Sequence, residues 1–306
     1  MDSGSAIGPL NRAPPRWLSG LGLKHWPTAR TGTRELRFPG ALSYFAAWLI
    51  PWQPVFRAPA ASGLAFYAHR RDVIGRHIAK YGAHEPQLTR WIAERLAASK
   101  GGLFVDAGAN IGWHAINAAQ SPNVETVVAF EPDPFNAWLL DRNLSANGIE
   151  KAVVVAAALG GTRGTLRLHR YKASNFGRHS AIAEQAHGSS ATVPLVDLDG
   201  ALHDLRLEDK PVAILKIDVE GYEPAVIAGA SRTLGLTDAV VLEYAPSRAR
   251  AGGLSVEDML AKLERAGFLP FALKDDGSLE ALDVIALISA EAQRDLIWLR
   301  RKAAGK

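Results

Sequence analysis

The chain has 306 residues, 48% of them hydrophobic, with 35 Lys or Arg against 31 Asp or Glu and no cysteine. That apolar content supplies a sizeable core, and the length suits one large domain or a domain with an extension. The lack of cysteine excludes disulfides, thiolate nucleophiles and cysteine-ligated zinc.

Charge is unevenly placed. Residues 1–100 carry 14 Lys or Arg against 5 Asp or Glu, a balance of +9, whereas residues 101–306 carry 21 against 26, a balance of −5. A basic N-terminal third suits an anionic surface such as a phospholipid, a nucleic acid or a diphosphate-linked glycan. It equally serves to solubilise an aromatic-rich segment.

Residues 1–16 are rich in Gly, Ser and Pro and read as a poorly ordered tail. No basic region followed by an apolar stretch marks a signal peptide, so a cytoplasmic location is expected. From Trp17 to Pro59 the chain is aromatic, and Pro27, Pro39, Pro51 and Pro54 interrupt any periodicity. Residues 1–62 are therefore expected to form an irregular extension. It either caps the domain beside the site mouth or touches a membrane surface, where Trp and Tyr favour the interface. The longest apolar run, Ala41 to Ile50, is too short to span a bilayer.

Residues 63–306 read as the principal domain. Gly63 to Tyr67 reads as a strand, Val73 to Lys80 as a helix, and Glu85-Pro86 opens a helix to Ala98. Leu103 to Val105 is a short buried strand. Asp106 stands at its end, Gly108 and Gly112 bracket a turn, and Ile111, Ala115, Ile116 and Ala119 follow helical spacing. Ligands of open α/β sheets bind beyond the carboxyl ends of the strands. There Gly108 lets backbone approach a ligand, and free N–H groups favour a negative ligand group.

The second strand, Thr126 to Phe130, ends in Glu131-Pro132-Asp133-Pro134. An acidic residue in this position holds a ribose diol, and Glu131 has two acceptor oxygens for it. The glycine spacing is neither that of a dinucleotide fingerprint nor that of a triphosphate loop. Two nucleoside cofactors remain, NAD with an atypical loop and S-adenosylmethionine, and Asp106-x-Gly108-x-Asn110-x-Gly112 favours the second. Asp133 and Pro134 start a helix to Ala146, with Gly148 ending it.

Val153 to Ala158 reads as a third strand, with Ala157 and Ala158 small enough for an adenine ring to lie against them. Gly164 to Tyr171 and Thr192 to Val196 suggest an antiparallel insertion. The polar loop between them, Ser174 to Ser180, includes His179 and is a substrate-contact candidate. Val212 to Ile217 is an apolar run typical of a central parallel strand and ends in Asp218-Val219-Glu220-Gly221. A helix from Pro224 to Ala230 and a strand from Ala239 ending in Glu243 follow. Ser255-x-x-Asp258 caps a helix to Ala266. Phe268 to Leu273 and Asp283 to Ile288 read as the last strands, and an amphipathic helix is expected from Ala290. Strands alternating with helices argue for a doubly wound α/β sheet.

With these blocks together, the chain resembles the FkbM-type family of S-adenosylmethionine-dependent methyltransferases over roughly residues 63–289. The blocks are Gly82 to Pro86, Val105 to Gly112, Phe130 to Pro132, Leu215 to Glu223 and Val241 to Glu243. Trp113-His114 and the aromatic N-terminal segment depart from the family's pattern. The resemblance implies the Rossmann-like, mostly parallel seven-stranded sheet of class I methyltransferases. It also implies O-methylation of a hydroxyl on a small molecule or glycan, such as a sugar or polyketide-like natural product, and it places Glu85 near the cofactor.

The cofactor-binding candidates are thus Glu85, Asp106, Gly108, Asn110, Gly112, His114, Glu131, Pro132, Ala157, Ala158 and Asp218. A hydroxyl nucleophile must lose its proton, and a placed base contributes roughly 10² to 10⁴ in rate. Asp218, Glu220 and Glu243 end strands beside the crevice, Lys216 is placed as a counter-ion to Asp218, and His179 and His114 are alternative bases. Asp218, Glu220 and Glu243 also form an oxygen set able to hold Mg²⁺, a secondary expectation because the family does not require a metal. Methylation of a nucleobase amino group needs a Pro-Pro-aromatic turn that docks the base, and the strand ends instead in Ile217-Asp218-Val219-Glu220, which argues against a DNA adenine or cytosine N-methylase; a nucleic-acid partner is not expected. An NAD-dependent oxidoreductase, or a membrane or nucleic-acid binding module, remain the alternatives. An acceptor carried on a lipid would join the methyltransferase and membrane readings. The number of copies in an assembly is not legible in the sequence.

Overall fold

The computed structural model describes residues 38–49, 54–170, 179–180 and 190–301. The chain opens with helix α1 (Phe38–Leu49) and an antiparallel hairpin of β1 (Val55–Pro59) and β2 (Ala65–His69). Helices α2 (Val73–Tyr81) and α3 (Pro86–Ala97) lead into the sheet. Strand β3 (Gly102–Ala107), helix α4 (Trp113–Ala118), strand β4 (Val124–Phe130), helix α5 (Pro134–Ala146) and strand β5 (Ala152–Val155) form the first βαβαβ half.

The insertion follows as β6 (Ala158–Gly160), β7 (Gly164–Arg170), β8 (His179–Ser180) and β9 (Ser190–Asp197). The second half contains α6 (Leu198–Asp204), β10 (Val212–Ile217), α7 (Glu223–Ala228), α8 (Ser231–Leu236) and β11 (Ala239–Tyr244). It closes with α9 (Pro246–Ala251), α10 (Val256–Arg265), β12 (Phe268–Leu273), β13 (Leu279–Ala281), α11 (Val284–Ile288) and β14 (Arg294–Arg300).

The main sheet has the order β13-β12-β14-β11-β10-β3-β4-β5. The five strands from β11 to β5 are parallel, while β14, β12 and β13 pair antiparallel. Seven of these strands form the expected mostly parallel sheet, and short β13 adds an eighth at the edge. Every residue of β3 and of β10 is buried, because helices cover both faces. A second, four-stranded sheet has the order β6-β9-β7-β8; β9, β7 and β8 form the expected antiparallel insertion, and β6 adds to β9 in parallel.

Two asparagines fasten the N-terminal hairpin to the sheet. Asn143 and Asn147 lie one turn apart on α5 and stand in for a neighbouring strand along β2. Asn143 accepts from the Tyr67 N–H at 2.6 Å and donates to the Tyr67 carbonyl at 3.0 Å. Asn147 does the same for Ala65, at 2.9 and 2.7 Å. Both backbone groups of Tyr67 and of Ala65 are thereby paired, as buried backbone requires.

Several expectations are corrected. Residues 38–49 and 55–59 form regular elements where proline-broken aromatic sequence suggested none. Tyr44 packs edge-on against Phe56 at 5.6 Å, so tertiary contact organises this stretch. The third strand stops at Val155, where a turn brings the Ala157 N–H to the Val155 carbonyl, and Ala158 begins a strand of the other sheet. Asp283 is not a strand residue: its carboxylate accepts from the Ile285 N–H and starts α11. No helix follows Ala290 among the described residues. Leu296-Ile297-Trp298-Leu299 is instead the centre of β14, filling the gap between β11 and β12. Charged residues on both flanks gave that run a helical look. The basic end belongs to capping, since Arg300 donates to the carbonyls of Thr237 and Ala266.

Trp298 is fully buried between Val240 and Pro270. Trp298→Ala is expected to lower unfolding free energy by about 3–5 kcal/mol in urea titration. A loss within about 0.5 kcal/mol, the surface value, would contradict the strand placement.

Candidate active site

The site forms where the C-terminal ends of β10, β3 and β4 meet. Gly108 follows β3 with φ +81°, and a Cβ there would overlap the Asp218 carbonyl oxygen, so only glycine permits this approach. The Asp218 N–H in turn donates to the Ala107 carbonyl at 3.0 Å. Gly112, with φ +90°, faces Leu140 and serves packing under the α4 N-terminus.

Register explains the buried charges. Lys216 of β10 pairs with Asp106 of β3, and Lys216 Nζ lies 3.5 Å from Asp106 Oδ1 and 3.3 Å from Asp218 Oδ2. Asp106 is 1% exposed and Lys216 3%. Neither Asp106 oxygen has a hydrogen-bond partner, so the lysine charge is its compensation. Burial alone would push the Lys216 ammonium down, but Asp218, Asp106 and Glu85 outweigh it and hold the ammonium above its ordinary value.

Two chambers flank this junction and share Gly108, Asn110, Asp218 and Glu220. The larger, about 500 Å³, is bounded by Glu85, His84, His114, Lys216, Glu243 and Asp295. The smaller, about 50 Å³, has Glu131 and Pro132 on one side and apolar Ala158, Leu159, Leu166 and Leu168 on the other. Glu131 is buried. Its two oxygens accept from the N–H groups of Asn110 at 2.9 Å and Asp133 at 2.8 Å. Burial pushes its carboxyl up to about 8.

Four non-glycine residues among those described adopt left-handed backbone: Glu85, Asn110, Arg206 and Glu220. Three of the four line the larger chamber. For glutamate this conformation costs on the order of 1–3 kcal/mol, and such strain clusters at working sites. Glu85 contacts His114 Nε2 at 2.8 Å and His84 Nε2 at 3.3 Å. Burial pushes its carboxyl up, yet the His84 charge and these hydrogen bonds outweigh it and hold it well below the ordinary range.

The cluster of Asp218, Glu220 and Glu243 places carboxylate oxygens within 4.8 Å of one another. A guanidinium already stands among them. Arg248 Nη1 donates to Glu220 and lies 3.8 Å from Glu243. Burial and the neighbouring carboxylates Asp218 and Glu220 push the Glu243 carboxyl up, against the pull of Arg248.

Most of the candidates read from the sequence converge here. Glu85, Gly108, Asn110, His114, Lys216, Asp218, Glu220 and Glu243 line the larger chamber, and Glu131, Pro132 and Ala158 the smaller. Asp106, Gly112 and Ala157 line neither and lie behind the surface. The substrate-loop candidates at 171–178 fall outside the described residues. His179 is seen only as backbone, paired with Arg170 at the edge of the second sheet.

Sequence reasoning missed Arg248, His84, Gln293, Arg294 and Asp295. Arg248 had a signal, since it follows a strand end by one helical turn. The last three were hidden by the misread terminal helix. Antiparallel β14 begins at the edge where β11 ends, which sets Asp295 beside Glu243.

The strand order and the crevice at its switch point define a Rossmann-like class I methyltransferase. The family model for the methyltransferase FkbM domain matches residues 106–270, more than half of the chain. The chain belongs to this family, whose methyl donor is S-adenosylmethionine. Methyltransferase 1 of Beauveria bassiana (strain ARSEF 2860) is 28% identical over 205 residues, covering 61% of this chain and 80% of that protein. Among solved structures, methyltransferase FkbM from Methylobacillus flagellatus KT matches 65% of this chain at 16% identity, with a TM-score of 0.39. This chain spans only 44% of that protein. An O-methyltransferase from Bacillus cereus, in complex with S-adenosylhomocysteine, matches 71% of this chain and 80% of its own at 10% identity, with a TM-score of 0.38. At such scores the fold rests on the strand order, not on these likenesses. No helix among the described residues is long and apolar enough to cross a membrane.

Removing one member of a buried pair leaves the other uncompensated and costs about 3–5 kcal/mol. Lys216→Met is therefore expected to lower stability by that amount. The double variant Lys216→Met with Asp106→Asn should recover part of the loss in a urea double-mutant cycle. Additive losses would show that Asp106 does not depend on the lysine.

Proposed function

We propose that the protein is an O-methyltransferase that moves the methyl group of S-adenosylmethionine to a hydroxyl of a sugar, glycan or polyketide-like natural product. The observation that carries this reading is Glu131, buried in the wall of the small chamber opposite its apolar side. Each of its oxygens takes one backbone N–H, and a carboxylate oxygen accepts a second donor readily. A ribose diol supplies two such donors, and Ala158, Leu159 and Leu168 offer a flat ring an apolar wall. The residues present thus fit a nucleoside. Gly108 and Asn110, common to both chambers, would hold the remainder of the cofactor.

Bound S-adenosylmethionine supplies an electrophilic methyl on a sulfonium. The chain's part is to orient the acceptor in the larger chamber and take its proton. Asp218 suits that role because it lines both chambers. Lys216, held as a cation, is its counter-ion rather than a base. Glu220 is engaged by Arg248, and His114 by Glu85. Arg248 supplies positive charge to the carboxylate cluster that the sequence offered as a secondary Mg²⁺ site. Glu85, Glu243 and Asp295 offer oxygen acceptors to the acceptor's hydroxyl groups.

Calorimetric titration with S-adenosylhomocysteine tests the cofactor half. Glu131→Ala removes two charge-assisted hydrogen bonds, so binding should weaken at least about 100-fold. Unchanged affinity in a folded variant would remove the assignment. The pH dependence has a definite sign. Without ligand, Glu131 is largely protonated below about pH 8. Diol donors favour the ionised form, so binding should release a proton and tighten as pH rises from 6 to 8. Glu131→Gln should flatten that slope.

Asp218→Asn tests the chemical half, with radiolabelled methyl donor and a panel of glycan acceptors. The turnover rate is expected to fall by about 10² to 10⁴. A loss of cofactor affinity with turnover kept would assign Asp218 to cofactor binding instead.

A further inference from the structure

Helix α1 carries no charged residue and presents two faces. Tyr44 and Ala47 are buried against the hairpin and α2. Leu42, Phe45 and Leu49 recur at helical spacing on the outer side, with Trp48 beside them. Phe45 is 53% exposed, Trp48 46% and Leu49 82%. Large apolar side chains grouped this way on a surface mark a contact site.

Cations frame the face. The Arg70 guanidinium lies 5.2 Å over the Trp48 ring, and Lys80 Nζ lies 5.5 Å over Phe45. Residues 54–81 hold five Lys or Arg and one acid, and that acid, Asp72, is buried as the N-cap of α2. The pattern continues across the hairpin. His69 packs edge-on to Phe135 at 6.1 Å, and Phe135 stacks on Trp138 at 5.8 Å. Arg142 covers Tyr67 at 4.0 Å and reaches Trp138 at 5.5 Å. Trp138 is itself exposed on α5.

We propose that this aromatic and basic face docks the protein on an anionic phospholipid bilayer. Three features fit that partner together. Trp and Tyr with an apolar body and a polar rim settle at the headgroup level. Basic residues near an anionic leaflet are drawn to it electrostatically. The face also lacks an exposed acid on α1 and α2, which would repel lipid phosphates. Helix α2 links it to the site: α1 packs on α2, and Val73 and Ile74 at the start of α2 line the larger chamber. A docked enzyme would meet an acceptor carried on a lipid. This consequence rests on the methyltransferase reading, whereas docking itself does not.

Sedimentation of the full chain with phosphatidylcholine vesicles, with and without phosphatidylglycerol, tests the proposal. Binding is expected only with phosphatidylglycerol and should decline as salt screens the charges. Phe45→Ser with Trp48→Ser, and separately Arg70→Glu with Lys80→Glu, should each reduce the bound fraction about tenfold. Circular dichroism and S-adenosylhomocysteine affinity should stay unchanged, which separates failed docking from a failed cofactor site. Equal binding to both vesicle types, or binding indifferent to both variants, would overturn the proposal. Loss of a dimer in the aromatic variant, without vesicle binding by the parent, would assign the face to a second copy. Binding to a single-stranded oligonucleotide but not to vesicles would assign it to nucleic acid.

Discussion

Two neighbouring parallel strands end in direct backbone contact, and the site is built around that contact. Past β3, Gly108 lies so near the Asp218 carbonyl that no side chain fits between them. The Asp218 N–H closes onto Ala107, and the Gly108 and Ala109 N–H groups close onto Phe130. Three strand ends are thereby tied at one point. The loops beyond them have little freedom, so Asn110, Glu131 and Asp218 are held in place before any ligand arrives. Preorganised groups of this kind avoid reorganisation during a reaction.

Electrostatics at that junction follow from burial. Lys216 is the cation set between Asp106 beneath the surface and Asp218 at it. Around them, Glu220, Glu243, Glu85 and Asp295 crowd the larger chamber, with Arg248 between Glu220 and Glu243 and Arg294 also on the lining. Crowded carboxylates destabilise one another and favour a cationic or donor-rich ligand. A sulfonium cofactor and a polyhydroxylated acceptor both meet that description. The left-handed backbone at Glu85 and Glu220 shows the fold tolerating local cost to aim these groups inward.

The N-terminal elements are tied into the same domain. Asn143 and Asn147 hold β2 against α5, and Asn143 also donates to the Ile111 carbonyl in the glycine loop. One helix therefore supports the hairpin and the glycine loop at once. Helix α2 repeats the arrangement, with α1 on one side and the larger chamber at its start. The outer aromatic face and the inner site share their scaffold.

Local sequence alone determined the strand–glycine–helix unit, the acid after the second strand and the apolar run ending in Asp218. These signals are short-range: a tight turn needs glycine, a central strand needs apolar residues on both faces, and a cap needs its acceptor. Asp133 and Ser255 act as the caps their spacing suggested. Tertiary structure decided the rest. The apolar run at Leu296 became a strand because β11 and β12 leave an antiparallel gap that only a strand can fill, and that choice brought Asp295 beside Glu243. Arg248 met Glu220 because α9 turns back over the end of β11. Lys216 became the partner of Asp106 through strand register, a relation between residues 110 positions apart. Periodicity records which face a residue turns to the core. Which distant side chain waits there is set by packing, which no single stretch of sequence contains.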